Sequence, residues 1–225
     1  MQHNYKINLN NKKMETKLTE QESLQIISQM IEQTRNNLQK GSGNGFIIAG
    51  ISVAFTAILN VMLAFIFNEK GISANLSFWV WCLMLPVSCI ILLIRKKEER
   101  KSIVKTHIDS IIHSTWNGYL YAILAFLAVI FSIGQGQKFY GVFYLINPFV
   151  LILVGQAEYV TAKACRFKPF LFGAVSMWLG ALACAGAMWF KESILIQFVI
   201  LAVCMITGFV IPGYQLNKLA KKDHV

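Results

Sequence analysis

One carboxylic acid lies inside an apolar run of this sequence. Glu158, in GQAEYVTAK, follows some twenty mostly apolar residues. A charge in the hydrocarbon interior costs about 2.5–3.5 kcal/mol on insertion scales, so an acid there is a candidate for proton movement. Because Glu158 lies about one turn from the end of its run, an interfacial ion pair with Lys163 or Arg166 is the favoured interpretation. The apolar runs contain no further acids that could form a relay.

Three amides and one indole form the rest of a candidate intramembrane polar site: Asn60, Asn147, Gln197 and Trp178. Amides within a membrane usually hydrogen-bond between helices, each bond contributing about 0.6 kcal/mol on average. The alternative is that all four converge on one polar cavity, with the helix broken at Pro148.

No catalytic or metal-binding constellation accompanies these groups. The sequence lacks G-x-S-x-G, H-E-x-x-H and paired acids, and all four histidines lie outside the apolar runs. His107 and His113 are six apart, about 240° around a helix, so they cannot share a metal on one face. The five cysteines form no C-x-x-C pair, and GSGNG at 41–45 lacks the Lys-Ser/Thr of a phosphate loop. We expect no enzyme, no cofactor and no metal site.

The composition places these groups in a membrane protein. Apolar residues make up 56% and charged residues 14% of the 225 residues, against about 45–50% and 25% in soluble domains. The net charge of +10 does not indicate nucleic-acid binding, because the basic residues separate apolar runs instead of forming one basic module.

Six apolar runs are long enough to cross a bilayer of about 30 Å at about 1.5 Å per residue. They are 46–67, 76–94, 116–133, 139–160, 170–190 and 194–216. The expected fold is all-α, a polytopic membrane protein whose six transmembrane helices form three consecutive hairpins. Whether the hairpins are true repeats stays open.

The basic residues predict the orientation, because Lys and Arg accumulate on the cytoplasmic side. With six crossings, 18 of the 21 fall on one side and three on the other; the three are Lys70, Lys138 and Lys191. We expect both termini in the cytoplasm of a bacterium, with the bundle in its cytoplasmic membrane.

The first 45 residues divide into three parts. Residues 1–17 are polar and predicted to be disordered. Thr19 and Glu22 match a capping box that begins a helix over 18–40, and 41–45 is a glycine-rich hinge. The helix carries a narrow apolar stripe that predicts docking to a cytoplasmic partner or a second copy of the chain: Leu24, Ile27, Ile31 and Leu38. The competing interpretation is that the stripe packs on the protein's own inner face or on lipid.

Two further segments are predicted to be cytoplasmic. Residues 95–115 start with a run of basic residues and continue as an amphipathic helix along the membrane, where each basic residue gains about 1 kcal/mol from anionic lipid. Residues 217–225 form a basic tail. In the fifth span, the small residues Gly173, Gly180, Ala185 and Gly186 predict close helix packing.

Three stretches, ESLQIISQMIEQTRNNLQKGSGNGFIIAG, CRFKPFLFGAVSMWLGA and VIPGYQLN, resemble a family of small six-span membrane proteins common in Bacteroidetes. The resemblance covers most of 18–219. It implies a gene that stands beside one for a small winged-helix transcription regulator, and it carries no active site. The favoured function is a non-enzymatic membrane protein, such as a regulatory or envelope-stress component, that docks through its N-terminal helix. The rival is a small transporter or channel; no ligand can be named.

Overall fold

The computed structural model describes residues 24–26, 28, 42–84, 86–90, 93, 107–136, 140–190 and 192–222. The chain divides into two compact units, Met1–Asn36 and Asn37–Val225. In the first unit the described residues 24–26 and 28 are helical, and the predicted disordered segment 1–17 lies outside the described residues. So do three of the docking residues: Ile27, Ile31 and Leu38.

The second unit is helical in every part that the structure describes, apart from turns. Six α-helices are labelled α1 (Ser42–Glu69), α2 (His107–Gly136), α3 (Ile146–Cys165), α4 (Lys168–Ala187), α5 (Ser193–Met205) and α6 (Ile211–Lys222). A first 3₁₀ helix covers Ala74–Leu83, a second covers Tyr140–Leu145 and leads into α3, and a π-helix at Ile206–Val210 joins α5 to α6.

Five of the helical segments are long and apolar enough to cross a membrane: Gly43–Glu69, Ser110–Gly136, Tyr140–Cys165, Lys168–Ala187 and Ser193–Leu219. Their outward faces carry large apolar side chains, such as Phe172 and Leu182, which are 74% and 70% exposed. A surface of this kind is stable in lipid and unfavourable in water. The protein is therefore an all-helical membrane bundle.

The second predicted span, 76–94, has a different local structure from the other five. Its first half forms the 3₁₀ helix Ala74–Leu83, and Leu76–Ile90 is a shorter apolar helical segment. The predicted surface helix over 95–115 also differs, because its described part from His107 onward is continuous with α2. The described parts of the chain therefore show five long apolar helices beside one shorter segment.

The turn between α3 and α4 determines how these two helices pack. Arg166 adopts the left-handed conformation with φ 52°. The N–H of Phe167 donates to the carbonyl of Ala162 at 3.1 Å, and that of Arg166 to Lys163 at 3.4 Å, which is a Schellman motif. Pro169 then lies in the first turn of α4, where its missing N–H costs nothing. This short turn places α4 antiparallel against α3.

Contacts between distant residues show which helix ends lie together. Asn217 at the end of α6 donates to the side chain of Asn44 at the start of α1, at 2.7 Å. Phe46 also contacts Phe170 near the start of α4, with ring centroids 4.7 Å apart. We name this the Asn217 end of the bundle, and the opposite end, which contains the α4–α5 turn, the Trp189 end.

The start of α2 lies at the Asn217 end as well. The rings of Phe46 in α1 and Trp116 in α2 are 5.6 Å apart. From Phe46, α1 continues to Glu69, about 34 Å further at 1.5 Å per residue. Glu69 and Trp116 therefore lie toward opposite ends of the bundle.

The small residues of α4 are divided between packed and open positions. A Cβ on Gly173 would stand 2.8 Å from the carbonyl oxygen of Gly208, and one on Gly180 would clash with the Cys204 sulfur. A Cβ on Gly186 would meet nothing within 4 Å, and Ala185 is exposed. Close packing therefore occurs at Gly173 and Gly180, whereas the other two have no such packing against the described residues.

Candidate functional site

Two of the predicted polar residues meet in a hydrogen-bonded layer toward the Trp189 end. The Asn147 side-chain nitrogen donates to Gln197 Oε1 at 3.4 Å, and Gln197 Nε2 donates to the backbone carbonyl of Cys184 at 3.2 Å. Both side chains are buried, Gln197 completely. We name Asn147, Gln197 and Cys184 the amide layer; it joins α3, α4 and α5.

Asn60 lies in α1 and is also buried, with 1% of its surface exposed. Neither its Oδ1 nor its Nδ2 has a hydrogen-bond partner among the described residues. One turn earlier, Ala57 packs in the same core cluster as Phe198 and Leu201 of α5. Asn60 thus contributes an unsatisfied amide to the interior without a described bond to the amide layer.

Trp178 does not join these amides through any described contact. Its indole packs across Gly155 of α3, where a Cβ would come within 2.6 Å of Nε1. Its ring also lies 5.7 Å from that of Tyr159, over which the Lys163 ammonium is placed at 5.5 Å. Trp178 therefore contacts the Tyr159 ring, and Tyr159 contacts the Lys163 ammonium toward the Asn217 end.

Glu158 is fully buried in α3, with 0% of its surface exposed. Neither carboxylate oxygen has a hydrogen-bond partner among the described residues. Lys163 and Arg166 are exposed, and Lys163 lies over the Tyr159 ring instead. The expectation of an interfacial ion pair is therefore wrong, because Glu158 points into the bundle and the cations point out of it.

The carboxylate faces two glycines on neighbouring helices. Its Oε2 lies 2.9 Å from the point where a Cβ of residue 173 would stand, and the carbonyl oxygen of Gly208 lies 2.8 Å from the same point. A Cβ on Gly208 would stand 3.4 Å and 3.5 Å from the two carboxylate oxygens. The missing Cβ of Gly173 thus leaves room for the Glu158 carboxyl, whereas a Cβ on Gly208 would be in ordinary van der Waals contact with it.

Gly208 belongs to the π-helix Ile206–Val210, which the sequence analysis did not anticipate. Pro212 follows four residues later and has no N–H, so it cannot donate the α-helical hydrogen bond to the Gly208 carbonyl. The signal was present in ITGFVIPG, where Gly and Pro are four residues apart. Single π-turns within helices are frequent at functional sites.

Hydroxyl groups hold the π-helix against α4. Thr207 Oγ1 donates toward Ser176 Oγ at 3.2 Å and also lies 3.1 Å from the carbonyl of Val203. Ser176 in turn donates to the Gly173 carbonyl at 2.8 Å. On the other flank, the Phe209 ring packs on Trp116 at 5.8 Å. The π-helix is therefore clamped on both sides of Gly208.

The docking stripe and possible metal ligands are the remaining candidate sites. In the N-terminal unit Leu24 is 62% exposed, whereas its three partners in the stripe lie outside the described residues. Within the described residues, no group of three or more His, Cys, Asp or Glu side chains could hold a metal ion.

The interior thus offers hydrogen-bonding amides toward one end and an isolated carboxyl toward the other. Amides can bind polar solutes, and a carboxyl can exchange protons. Comparisons of the chain with protein-family models, with curated proteins and with solved structures find no match. The geometry of these groups is therefore the basis for a functional proposal.

Proposed function

We propose that this protein is a non-enzymatic, six-span integral protein of the bacterial cytoplasmic membrane that passes small uncharged polar solutes between its helices. Both termini are cytoplasmic, and the Asn217 end of the bundle faces the cytoplasm. The chain belongs to the Bacteroidetes six-span family on the three stretches named above. The solute meets the amides of α1, α3 and α5 on its way through the bundle.

Two observations support the sixth crossing. Phe46 of α1 and Trp116 of α2 are in contact at one end of the bundle, as expected if the chain crosses the membrane once more after Glu69, and the apolar stretch Leu76–Ile90 lies in that interval. Charge supports it as well, because removing this crossing would change the partition of basic residues from 18 and 3 to 13 and 8. The partition of 18 and 3 agrees with the positive-inside rule, whereas the partition of 13 and 8 agrees with it less well.

The unsatisfied amide of Asn60 is the observation that carries the transport proposal. Leaving a buried polar group without partners costs about 1–3 kcal/mol, and a leucine at this position would avoid that cost. A solute with both a donor and an acceptor would satisfy Asn60 Oδ1 and Nδ2 together. Urea and glycerol have this chemistry and serve as probes.

Solute entry is measured by osmotic swelling of liposomes that contain the full chain. After a hypertonic step with urea or glycerol, liposomes with the wild-type protein should re-swell several-fold faster than protein-free liposomes. Asn60→Leu should remove the difference. Asn68→Leu is the same change at an exposed position of the same helix, and liposomes with this variant should re-swell as fast as those with the wild type. Equal rates for wild-type and protein-free liposomes with both probes would refute the proposal.

The exposed apolar side chains of Leu24 and Ile26 favour a second function, docking of a second copy or of a cytoplasmic partner. Leu24 is 62% exposed and Ile26 38%, although both are apolar. Converting Ile27 and Ile31 together to Asp should abolish co-purification of differently tagged copies, or of the partner, from native membranes. Converting Gln25 and Gln29 to Asp adds the same charge off the stripe and should preserve it. Retention in both double variants would rule out docking through this helix.

A further inference from the structure

We propose that Glu158 is a proton-binding site whose carboxylic acid form donates its O–H toward the carbonyl of Gly208 and holds the π-helix in place. The site lies about eleven residues, or some 16 Å, along α3 from Asn147 of the amide layer. Proton binding by Glu158 goes beyond solute transport, because it occurs whether or not the bundle passes urea or glycerol.

The Glu158 carboxyl has no hydrogen-bonded counter-charge among the described residues. Glu158 is fully buried and both of its oxygens lack a hydrogen-bond partner in the described part of the chain. An ionised carboxylate without a partner is strongly unfavourable in such a place, and it takes up a positive charge where one is available. The smallest positive charge that needs no shell of oxygen ligands is a proton.

Two hydrogen-bond acceptors lie close to Gly173. The Gly208 carbonyl has no α-helical donor, because Pro212 lacks an N–H, and its oxygen and Glu158 Oε2 lie 2.8 Å and 2.9 Å from the point where a Gly173 Cβ would stand. A carboxylate and a carbonyl are both acceptors, so they gain nothing from each other. A carboxylic acid has one O–H donor, which a proton on Glu158 would direct toward this carbonyl.

The described groups around Glu158 supply no competing charge. The ionisable side chains on the elements around Glu158 include Tyr119, Tyr159, Lys163, Cys184, Cys204 and Lys218. None of these is a hydrogen-bond partner of Glu158 in the described structure. A thiol does not neutralise a carboxylate, so the proton has no substitute among these groups.

Loss of the proton has a structural consequence. The carboxylate can no longer donate to the Gly208 carbonyl, and its charge must reach water or a cation. Without this hydrogen bond the π-helix is held less firmly beside Gly173 of α4, and it moves away from α4. The Glu158 proton thus selects between two positions of the last span, as a ligand selects between conformations.

The full chain in lipid nanodiscs tests this by infrared spectroscopy. At neutral pH the wild-type protein should show a carboxylic acid C=O band that shifts when the protein is made with carboxyl-labelled ¹³C-glutamate. Glu158→Gln should lose this band, whereas Glu192→Gln, which changes an exposed carboxyl, should retain it. If the wild-type spectrum at neutral pH shows no carboxylic acid band from glutamate, the proposal is overturned. This result is obtained from the wild-type protein alone, so it does not depend on whether a variant folds.

Stability as a function of pH is the second readout. A proton bound in the folded state and lost on unfolding makes the folded-to-unfolded ratio fall with rising pH, by up to about tenfold per unit, above the ordinary carboxyl range near pH 4. Glu158→Gln carries a permanent N–H donor in place of the O–H, so its curve should lack this fall. Parallel curves for the two proteins would contradict the proposal.

The salt dependence separates a proton from a metal cation. Replacing choline chloride by sodium chloride at constant pH and ionic strength should leave the wild-type stability unchanged. Stabilisation by sodium that disappears in Glu158→Gln would identify a sodium site and overturn the proton assignment. None of these outcomes depends on urea or glycerol transport, so failure of the transport proposal is seen separately in the swelling assay.

Discussion

Replacement of Gly173 by alanine tests whether α4 and the π-helix are as tightly packed as the structure indicates. The new Cβ would stand 2.8 Å from the carbonyl oxygen of Gly208 and 3.2 Å from its Cα. These are backbone atoms of a clamped segment, so they cannot rotate away as a flexible side chain would. One of the two helices must shift.

The magnitude follows from two opposing effects. Overpacking a tight site costs about 1–3 kcal/mol, and exchanging Gly for Ala inside a helix gains about 1 kcal/mol in propensity. Gly118 offers a matched control, because it lies within α2 and a Cβ there would meet nothing within 4 Å. Both variants gain the same helix propensity. The free energy of unfolding of Gly173→Ala should therefore lie below that of Gly118→Ala by the packing cost alone, about 1–3 kcal/mol.

Unfolding by sodium dodecyl sulfate in mixed micelles measures this difference as two free energies of unfolding. Gly118→Ala should match or slightly exceed the wild type, and Gly186→Ala, also open, should behave in the same way. Gly173→Ala should fall below both. Equal stability of all three variants would contradict the close approach between α4 and the π-helix, on which the proposed Glu158 site depends.

The remaining predictions concern the amides and the orientation. Asn60→Leu should raise the free energy of unfolding by about 1–3 kcal/mol, because it removes an unsatisfied buried group. Asn147→Leu should lower it by about 0.6–1.7 kcal/mol, because Gln197 loses a bond within the membrane; changes of the same sign in the same micelle titration would contradict the hydrogen-bond assignment. In a cysteine-free background, Lys191→Cys should react with an impermeant maleimide in intact cells and Arg166→Cys only after permeabilisation; the reverse pattern would invert the proposed orientation.

Much of the fold could be predicted because long apolar runs have few stable forms in lipid. Backbone groups in a bilayer must be satisfied within the segment, which requires helices. Five of the six predicted runs accordingly coincide with long apolar helices to within a few residues at most ends. The run at 76–94 was less predictable, since composition does not distinguish an α-helix from the 3₁₀ helix found over Ala74–Leu83.

The candidate site was predictable in its members and not in its arrangement. Polarity within an apolar run singled out Glu158, Asn60 and Gln197, and all three are buried. Which of them bond to one another depends on the rotation of each helix, which a sequence of alternating small and large apolar residues does not specify. The structure joins Gln197 to Asn147 and leaves Glu158 alone.

The sequence by itself determined that the chain forms membrane helices and which few polar groups enter the bilayer, because hydropathy and charge act locally along the chain. Only the tertiary structure decided that Glu158 turns inward, since the free energy of an acid one turn from the interface depends on which neighbour it faces. That neighbour, a glycine whose carbonyl lacks an α-helical donor because a proline follows four residues later, comes from a helix fifty residues away. Contacts at such separation are specified by packing of the whole bundle and by no local pattern.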